Sequence, residues 1–98
     1  MAVRYGAGLE TWELYNHMAA NNISTCAAGI GTVGAGGGWF GYGGHGYLTS
    51  FYGLGADQAL SIDVVTADGR FVTADPYKNK DLFFAIRGGG GCKKPRLR

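Results

Sequence analysis

Proline is scarce in this 98-residue chain, with two copies, and cysteine is equally scarce. Two prolines, with glycines that keep no G-X-Y period, exclude a collagen-like repeat and Pro-rich disorder. The two cysteines, Cys26 and Cys92, stand 66 positions apart. That spacing matches neither a C-x-x-C redox motif nor a zinc site, so both read as unpaired thiols. Long apolar runs are also missing: none nears the roughly 18 residues of a membrane-spanning helix. Met1 is followed by Ala-Val-Arg-Tyr-Gly rather than by the apolar stretch of an export signal. No membrane partner is expected, and the compartment stays open. A basic face is absent too. The formal charge is +2, but Lys93, Lys94, Arg96 and Arg98 lie in the last six residues, and the rest carries five basic against seven acidic residues. A body of that charge offers nothing to a phosphate backbone, which excludes nucleic acid as a partner.

What the chain has in excess is glycine, 19 of 98 residues, against a usual share of about 7%. Each ordered glycine gives up more backbone freedom than any other residue, and small chains bury a modest part of their surface. The chain is therefore expected to be marginally stable alone. Twelve glycines fall between Gly29 and Gly55, interleaved with Trp39, Phe40, Tyr42, Tyr47, Phe51 and Tyr52. No regular element is expected in that stretch. Flexible glycine linkers are short of aromatics, so an ordered loop with buried aromatic rings is expected instead.

Around the loop the periodicities are clearer. Val3 to Gly8 begins as a strand-like run. Thr11, Leu14, Tyr15 and Met18 recur at i, i+3, i+4, i+7 and predict an amphipathic helix over 9–21, with Glu10 and Glu13 at its positive end. His17 falls on its polar side and reads as a solvated residue. Leu60, Ile62 and Val64 alternate with Ser61, Asp63 and Val65, then Asp68-Gly69 precedes the run Arg70 to Ala74, so the spacing predicts a β-hairpin with a type I′ turn at Asp-Gly. Asp81 is expected to cap a short helix over 82–86, with Arg87 at its negative end and Gly88 as its stop.

Gly29-Ile30-Gly31-Thr32-Val33-Gly34 satisfies G-x-G-x-x-G. That pattern signals a dinucleotide site only between a strand and a helix, and Ala35-Gly36-Gly37-Gly38 is not expected to start one. Two readings of the glycines stay open: backbone N–H groups free of Cβ closing around a diphosphate as an anion nest, or simple tight turns. His45, within Gly43-Gly44-His45-Gly46, reads as a proton shuttle, a cofactor attachment point or a packed loop histidine. Asp57 either caps backbone N–H groups or contacts a ligand hydroxyl. Asn22-Ile23-Ser24 is a glycosylation triplet that bears on function only in a secreted protein.

Thr32-Val33-Gly34, Gly43-Gly44-His45-Gly46, Tyr52-Gly53-Leu54-Gly55-Ala56-Asp57-Gln58, Val64 to Arg70 and Asp81 to Gly90 occur in that order. Together, and with Val3 to Gly8 and the Trp12 and Tyr15 helix ahead of them, they resemble the berberine-bridge-enzyme-like branch of the vanillyl-alcohol-oxidase flavoproteins, fungal type. The resemblance implies an α+β, PCMH-type FAD-binding domain, present in part as its second subdomain over residues 1–91, followed by an unrelated basic tail over 92–98. It implies FAD as cofactor and oxidation of an alcohol, sugar or similar small molecule by hydride transfer to the flavin, with O₂ as acceptor. By similarity Thr32, Val33, Gly34, Gly37, Gly38, Gly43, Gly44, His45 and Gly46 would line the FAD, with Tyr52, Gly53, Leu54, Asp57, Val64 and Val65 behind it. Relatives that attach flavin through a Cys two residues before Thr-Val-Gly have it where this chain has Ile30, so no cysteinyl link is expected. The histidine that many relatives use lies in an upstream loop, and that role does not transfer to His45.

Beyond the glycine run the pattern changes at Cys92, which suggests a truncated product. Without the substrate domain no catalytic residue is expected, and the isolated chain should be inactive and bind FAD weakly or not at all. The alternative function is a non-catalytic product with no activity of its own. A surface-binding module is the weaker rival, because it needs Trp39, Phe40 and Tyr42 outside.

Overall fold

Helix α1 runs Thr11–Ala20 and starts as its sequence dictates. The Glu13 carboxylate accepts the Glu10 N–H at 2.9 Å, which satisfies one of the donors left over at a helix start. Two more find acceptors in the glycine-rich segment: Thr11 N–H donates to Val33 O and Trp12 N–H to Gly31 O, both at 2.9 Å. The computed structural model from which these contacts are taken describes residues 1–90. Thr11, Leu14 and Met18 form the buried stripe, with Tyr15 half-buried and His17 exposed, as the periodicity requires. The first core cluster joins Leu14, Met18, Ala27 and Ala35, with Tyr5, Leu9, Tyr15 and Ile23 packed around them.

The second cluster lies at the other end of the sequence. Strands β1 (Ile62–Val65) and β2 (Phe71–Ala74) pair antiparallel in the register Ile62 to Ala74 and Val65 to Phe71. Ala74 packs with Leu82 and Phe83 of a helix spanning Lys80–Ile86, and Ile62, Val64, Val72 and Ile86 pack against them. On the opposite face Thr73 Oγ1 donates to Asp63 Oδ1 at 2.7 Å and Arg4 pairs with Asp63 at 2.5 Å. The architecture is thus α+β. No helix among the described residues is long and apolar enough to cross a membrane.

Several expectations need correction. The hairpin is present, but its turn is not type I′: only Gly69 has positive φ, +85°. Thr66 N–H donates to Arg70 O and Gly69 N–H to Thr66 O, both at 2.9 Å, so Ala67, Asp68 and Gly69 form a three-residue loop with glycine in the left-handed position. Thr66 and Arg70 each hydrogen-bond the Asp68 side chain, and these contacts, Thr66 first, hold its carboxyl below its usual value. The last helix begins at Lys80, with Asn79 rather than Asp81 at its cap position. Asp75 Oδ1 first turns the chain by accepting Tyr77 and Lys78 N–H, each at 2.7 Å, and Asn79 then adopts φ +52° while donating to Thr73 O. Gly88 stops this helix at φ +102°, and the Arg87 guanidinium lies 4.2 Å over the Phe83 ring.

Residues 3–8 form no strand, because no described strand lies alongside to pair with them; an isolated bridge from Glu10 to Gly34 is all that forms. The glycine-rich stretch, in contrast, contains two one-turn helices, α2 (Gly38–Gly41) and α3 (Thr49–Tyr52), and a 3₁₀ turn, Gly55–Gln58. The helix Lys80–Ile86 is accordingly α4. A helix therefore does begin in the Ala35–Gly38 run, where none was expected. Tertiary anchoring overrides glycine's poor propensity, and Trp39 supplies the anchor. Its ring lies so close to Gly44 and Gly55 that a Cβ would fall 2.9 Å and 2.4 Å from it, and its Nε1 donates to His45 O at 2.9 Å. The expected burial of the aromatics holds only in part. Trp39 and Phe40 are half-buried, whereas Tyr42, Tyr47, Phe51 and Tyr52 are exposed. Cys26 is a free thiol. Cys92 and the basic tail lie outside the described residues.

Candidate functional site

The glycines divide into two groups once their surroundings are known. A Cβ on Gly46 would lie 2.1 Å from Ala27 O, and one on Gly55 or Gly44 would strike the Trp39 ring. Gly36 abuts Ala7 and Gly31 abuts Trp12 in the same way. Gly43 and Gly44 bond inward, their carbonyls accepting Ala56 N–H at 2.9 Å and Gly55 N–H at 2.7 Å. Here glycine serves close backbone approach. Gly34, Gly37 and Gly38 are different: each is exposed, and a Cβ added there would meet nothing within 4 Å.

The same stretch is rich in unspent donors. Among the described residues, the N–H groups of Thr32, Gly34, Gly36, Gly37 and Gly38 donate to no acceptor. Two are aimed by α1. Gly31 O and Val33 O face the helix start, where they accept Trp12 and Thr11 N–H, and Val33 O also accepts Thr11 Oγ1–H at 2.7 Å. All peptide bonds among the described residues are trans, so the N–H of each of these planar peptide units, on Thr32 and Gly34, points away from α1. Leu9 O, accepting Ala35 N–H at 2.9 Å, closes the attachment. The product is a short ribbon of amide donors, exposed at Thr32, Gly34, Gly37 and Gly38, with no Cβ at its glycines. Such a ribbon suits an anion that accepts several hydrogen bonds at once.

The remaining candidates fall into three places. Gly43 is buried, Gly44, Gly46 and Gly53 are half-buried, and Leu54 is exposed, all in the packed turn around Trp39. Asp57 belongs to the same turn, where its Oδ2 accepts Leu54 N–H at 3.0 Å; the capping reading accounts for it. His45 and Tyr52 are exposed. His45 engages its neighbours through its carbonyl, and its imidazole has no partner among the described residues. Val64 packs toward α4, while Val65 is 67% exposed on the other face of the hairpin. The structure thus brings Thr32, Val33, Gly34, Gly37 and Gly38 into one ribbon and keeps Val64 and Val65 on a separate element.

Two clefts lie away from the ribbon. One, of about 390 Å³, is lined by Tyr15, Met18, Ile23, Ser24, Tyr47 and Leu48 among others, and one of about 630 Å³ by Asp57, Lys80, Asp81, Phe83 and Arg87. Tyr15 donates its hydroxyl toward the Ala27 and Ala28 carbonyls at 3.2 and 3.0 Å. Burial, and then Cys26 and Tyr47, push its phenol above the usual value, and burial followed by Cys26 does the same for Tyr5. No group of three metal-ligating side chains occurs among the described residues. The role of Trp39 escaped the sequence, which marks it as one aromatic among six; its neighbourhood with Gly44 and Gly55 is a tertiary fact.

Comparison with known proteins gives a consistent picture. Residues 1–75 match the family described as FAD binding domain. The chain is 44% identical over 90 residues to the FAD-linked oxidoreductase malF of Malbranchea aurantiaca, covering 92% of this chain and 15% of that one. It resembles the VAO-type flavoprotein MtVAO615 from Myceliophthora thermophila C1, with a TM-score of 0.85, 44% identity, and coverage of 88% of this chain and 16% of that one. It also resembles the BBE-like 1 protein of Physcomitrella patens, with a TM-score of 0.77, 39% identity, and coverage of 85% and 18%. The chain therefore spans a small part of the length of these relatives.

Proposed function

Because the chain belongs to the FAD binding domain family, we propose that its amide ribbon, Thr32 to Gly38, holds the dinucleotide of FAD within a flavin-dependent oxidoreductase. The single observation that carries this reading is the run of five unspent N–H groups, four of them on glycines, with those of Thr32 and Gly34 turned away from α1. The residues present fit the group: an anionic diphosphate needs several donors and close backbone approach, and a side chain at Gly34, Gly37 or Gly38 would fill the space it requires. His45, Tyr52 and Leu54, which the packed turn leaves exposed, are proposed to flank the cofactor. Gly43, Gly44, Gly46, Gly53 and Asp57 would shape that turn, and Val64 and Val65 would support it from the hairpin. The domain is proposed to run from residue 1 to 91, with 92–98 outside it.

When bound, FAD supplies the electron-accepting ring for oxidation of a small molecule. We place the parent reaction in the class that removes a hydride from an alcohol or sugar carbon and returns the electrons to O₂. What this chain contributes is binding: the ribbon neutralises the phosphate charge, and Trp39 fixes the ribbon's exit into the packed turn. Cys26 lies beside Thr49, 4.0 Å from its hydroxyl, and position 30 is isoleucine, so the reading is of non-covalent attachment through this segment. The chain covers 15% of the length of malF, which favours a second reading for the isolated chain: a non-catalytic product, inactive and a weak FAD binder.

A titration of the purified chain with FAD, following flavin fluorescence together with far-UV circular dichroism, tests the proposal. Saturable quenching that is lost in Gly34→Val, with unchanged dichroism, is the expected result for a working ribbon. Quenching that Gly34→Val leaves intact would remove the ribbon from the site. No quenching by either chain would mean that these 98 residues alone do not hold FAD, as the second reading requires.

A further inference from the structure

Asn22-Ile23-Ser24 is the one N-x-S/T triplet in the sequence, and the ribbon gives it no role. We propose that Asn22 is an acceptor site for an N-linked oligosaccharide, presented by the turn that ends α1. Asn22 is exposed and adopts φ +53°. Its backbone N–H is spent on Ala19 O at 3.2 Å, but its side-chain amide has no partner among the described residues. The adjacent Asn21 is committed, its Nδ2 donating to His17 O at 2.8 Å. Of two neighbouring asparagines, the one in the triplet keeps the free amide.

The rest of the triplet is arranged to match. Ser24 is exposed, and its hydroxyl is likewise unpartnered among the described residues. Ile23 between them is half-buried against the first core cluster and donates its N–H to Met18 O at 3.0 Å. An anchored middle residue thus holds two free polar side chains in solvent, the surface-turn setting that N-glycosylation acceptors occupy. In the transfer, Asn22 Nδ2 bonds to C1 of the first sugar of a polyprenyl-diphosphate-linked oligosaccharide. The C1–O bond to the diphosphate breaks, the diphosphate leaves with the bonding pair, and the amide proton passes to a base of the transferase, with no change of oxidation state. Ile23 and Ser24 also line the 390 Å³ cleft with Tyr47, so a glycan at Asn22 would stand at the rim of that apolar opening.

The test is expression of the full chain behind a cleavable leader in a secretory host, followed by intact-mass measurement and glycopeptide mapping of the leader-cleaved protein. The expected result is a mass increment of one N-glycan mapped to position 22 and removed by peptide N-glycosidase. The increment should be lost in Asn22→Gln and in Ser24→Ala and retained in Ser24→Thr, which keeps the hydroxyl. Mapping on the unaltered sequence does not depend on how the variants fold. A leader-cleaved chain with no increment, or one whose increment survives Asn22→Gln, overturns the proposal.

Discussion

At the scale of single residues, glycines that look alike in sequence have opposite tolerances. Gly55→Ala would drive a methyl group to 2.4 Å from the Trp39 ring and is expected to cost about 1–3 kcal/mol, the usual range for overpacking. Gly46→Ala meets backbone at 2.1 Å, where no side chain can yield, and should cost at least as much. Gly38→Ala meets nothing and lies in helical backbone, so it should leave stability unchanged or raise it by about 0.5 kcal/mol; if the ribbon holds FAD, it should still weaken FAD binding. Thermal melts of the three variants beside FAD titrations would check both halves, and a Gly38→Ala chain that binds FAD normally would count against the ribbon. Tyrosine supplies the pH-dependent counterpart. Tyr5 and Tyr15 have phenol pKa values raised above 10.0 in the folded chain. Folding therefore favours their protonated forms, so their contribution is complete below about pH 10 and is lost as pH rises through the raised values. Absorbance titration at 295 nm should show Tyr5 and Tyr15 ionising late, and Tyr15→Phe should remove part of that alkaline loss while costing about 1 kcal/mol for its hydroxyl contact.

At the scale of elements, the helices and strands that bury a regular face were legible in the sequence, and those held by a single side chain were not. The stripe Thr11, Leu14, Tyr15, Met18 specifies α1 because period and burial agree. The alternation over 60–65 specifies β1 for the same reason. The turn at Asp68-Gly69 misled because the dipeptide suits a two-residue loop, yet the Thr66 side chain, bonded to Asp68 and to Arg70, favours the longer one. The one-turn helices α2 and α3 have no periodic signature at all. α2 depends on Trp39, so Trp39→Ala is expected to melt it and release the turn at Gly43–Gly46, at a cost of about 3 kcal/mol; loss of helical dichroism with α1 intact would be the readout. For the candidate site, the glycine count pointed to the stretch that carries the proposed ribbon. Spacing could not separate Gly34, Gly37 and Gly38 from the packing glycines, because the distinction lies in what each one faces.

At the scale of the whole molecule, two small clusters replace one core. The first gathers around α1 and the second around the hairpin and α4, and no buried residue is common to both. Large apolar side chains such as Tyr47, Phe51, Phe71 and Phe84 stay more than two-thirds exposed. Cooperativity needs shared burial, so the isolated chain is expected to unfold in steps rather than all at once. Both tryptophans, Trp12 and Trp39, lie in the first half, so a denaturation curve followed by tryptophan fluorescence should not coincide with one followed by far-UV dichroism. Coincident curves would mean that the two clusters are coupled by contacts beyond their buried residues.

Such coupling has a visible thread. Gly90 N–H donates to Gly41 O at 2.8 Å, and Gly90, at φ +67°, lies so close to the Tyr42 ring that a Cβ would fall 2.4 Å from it. Together with the ion pair from Arg4 to Asp63, this ties each end of the described chain to the opposite half. The connectivity is that of a buckled belt, in which the exposed loop of Ala67, Asp68 and Gly69 is one span of the strap and not its fastening. A nick there would leave two pieces still joined by the β1–β2 ladder and by the Gly90–Gly41 buckle, so the hairpin loop is the natural place to divide the chain into complementing halves.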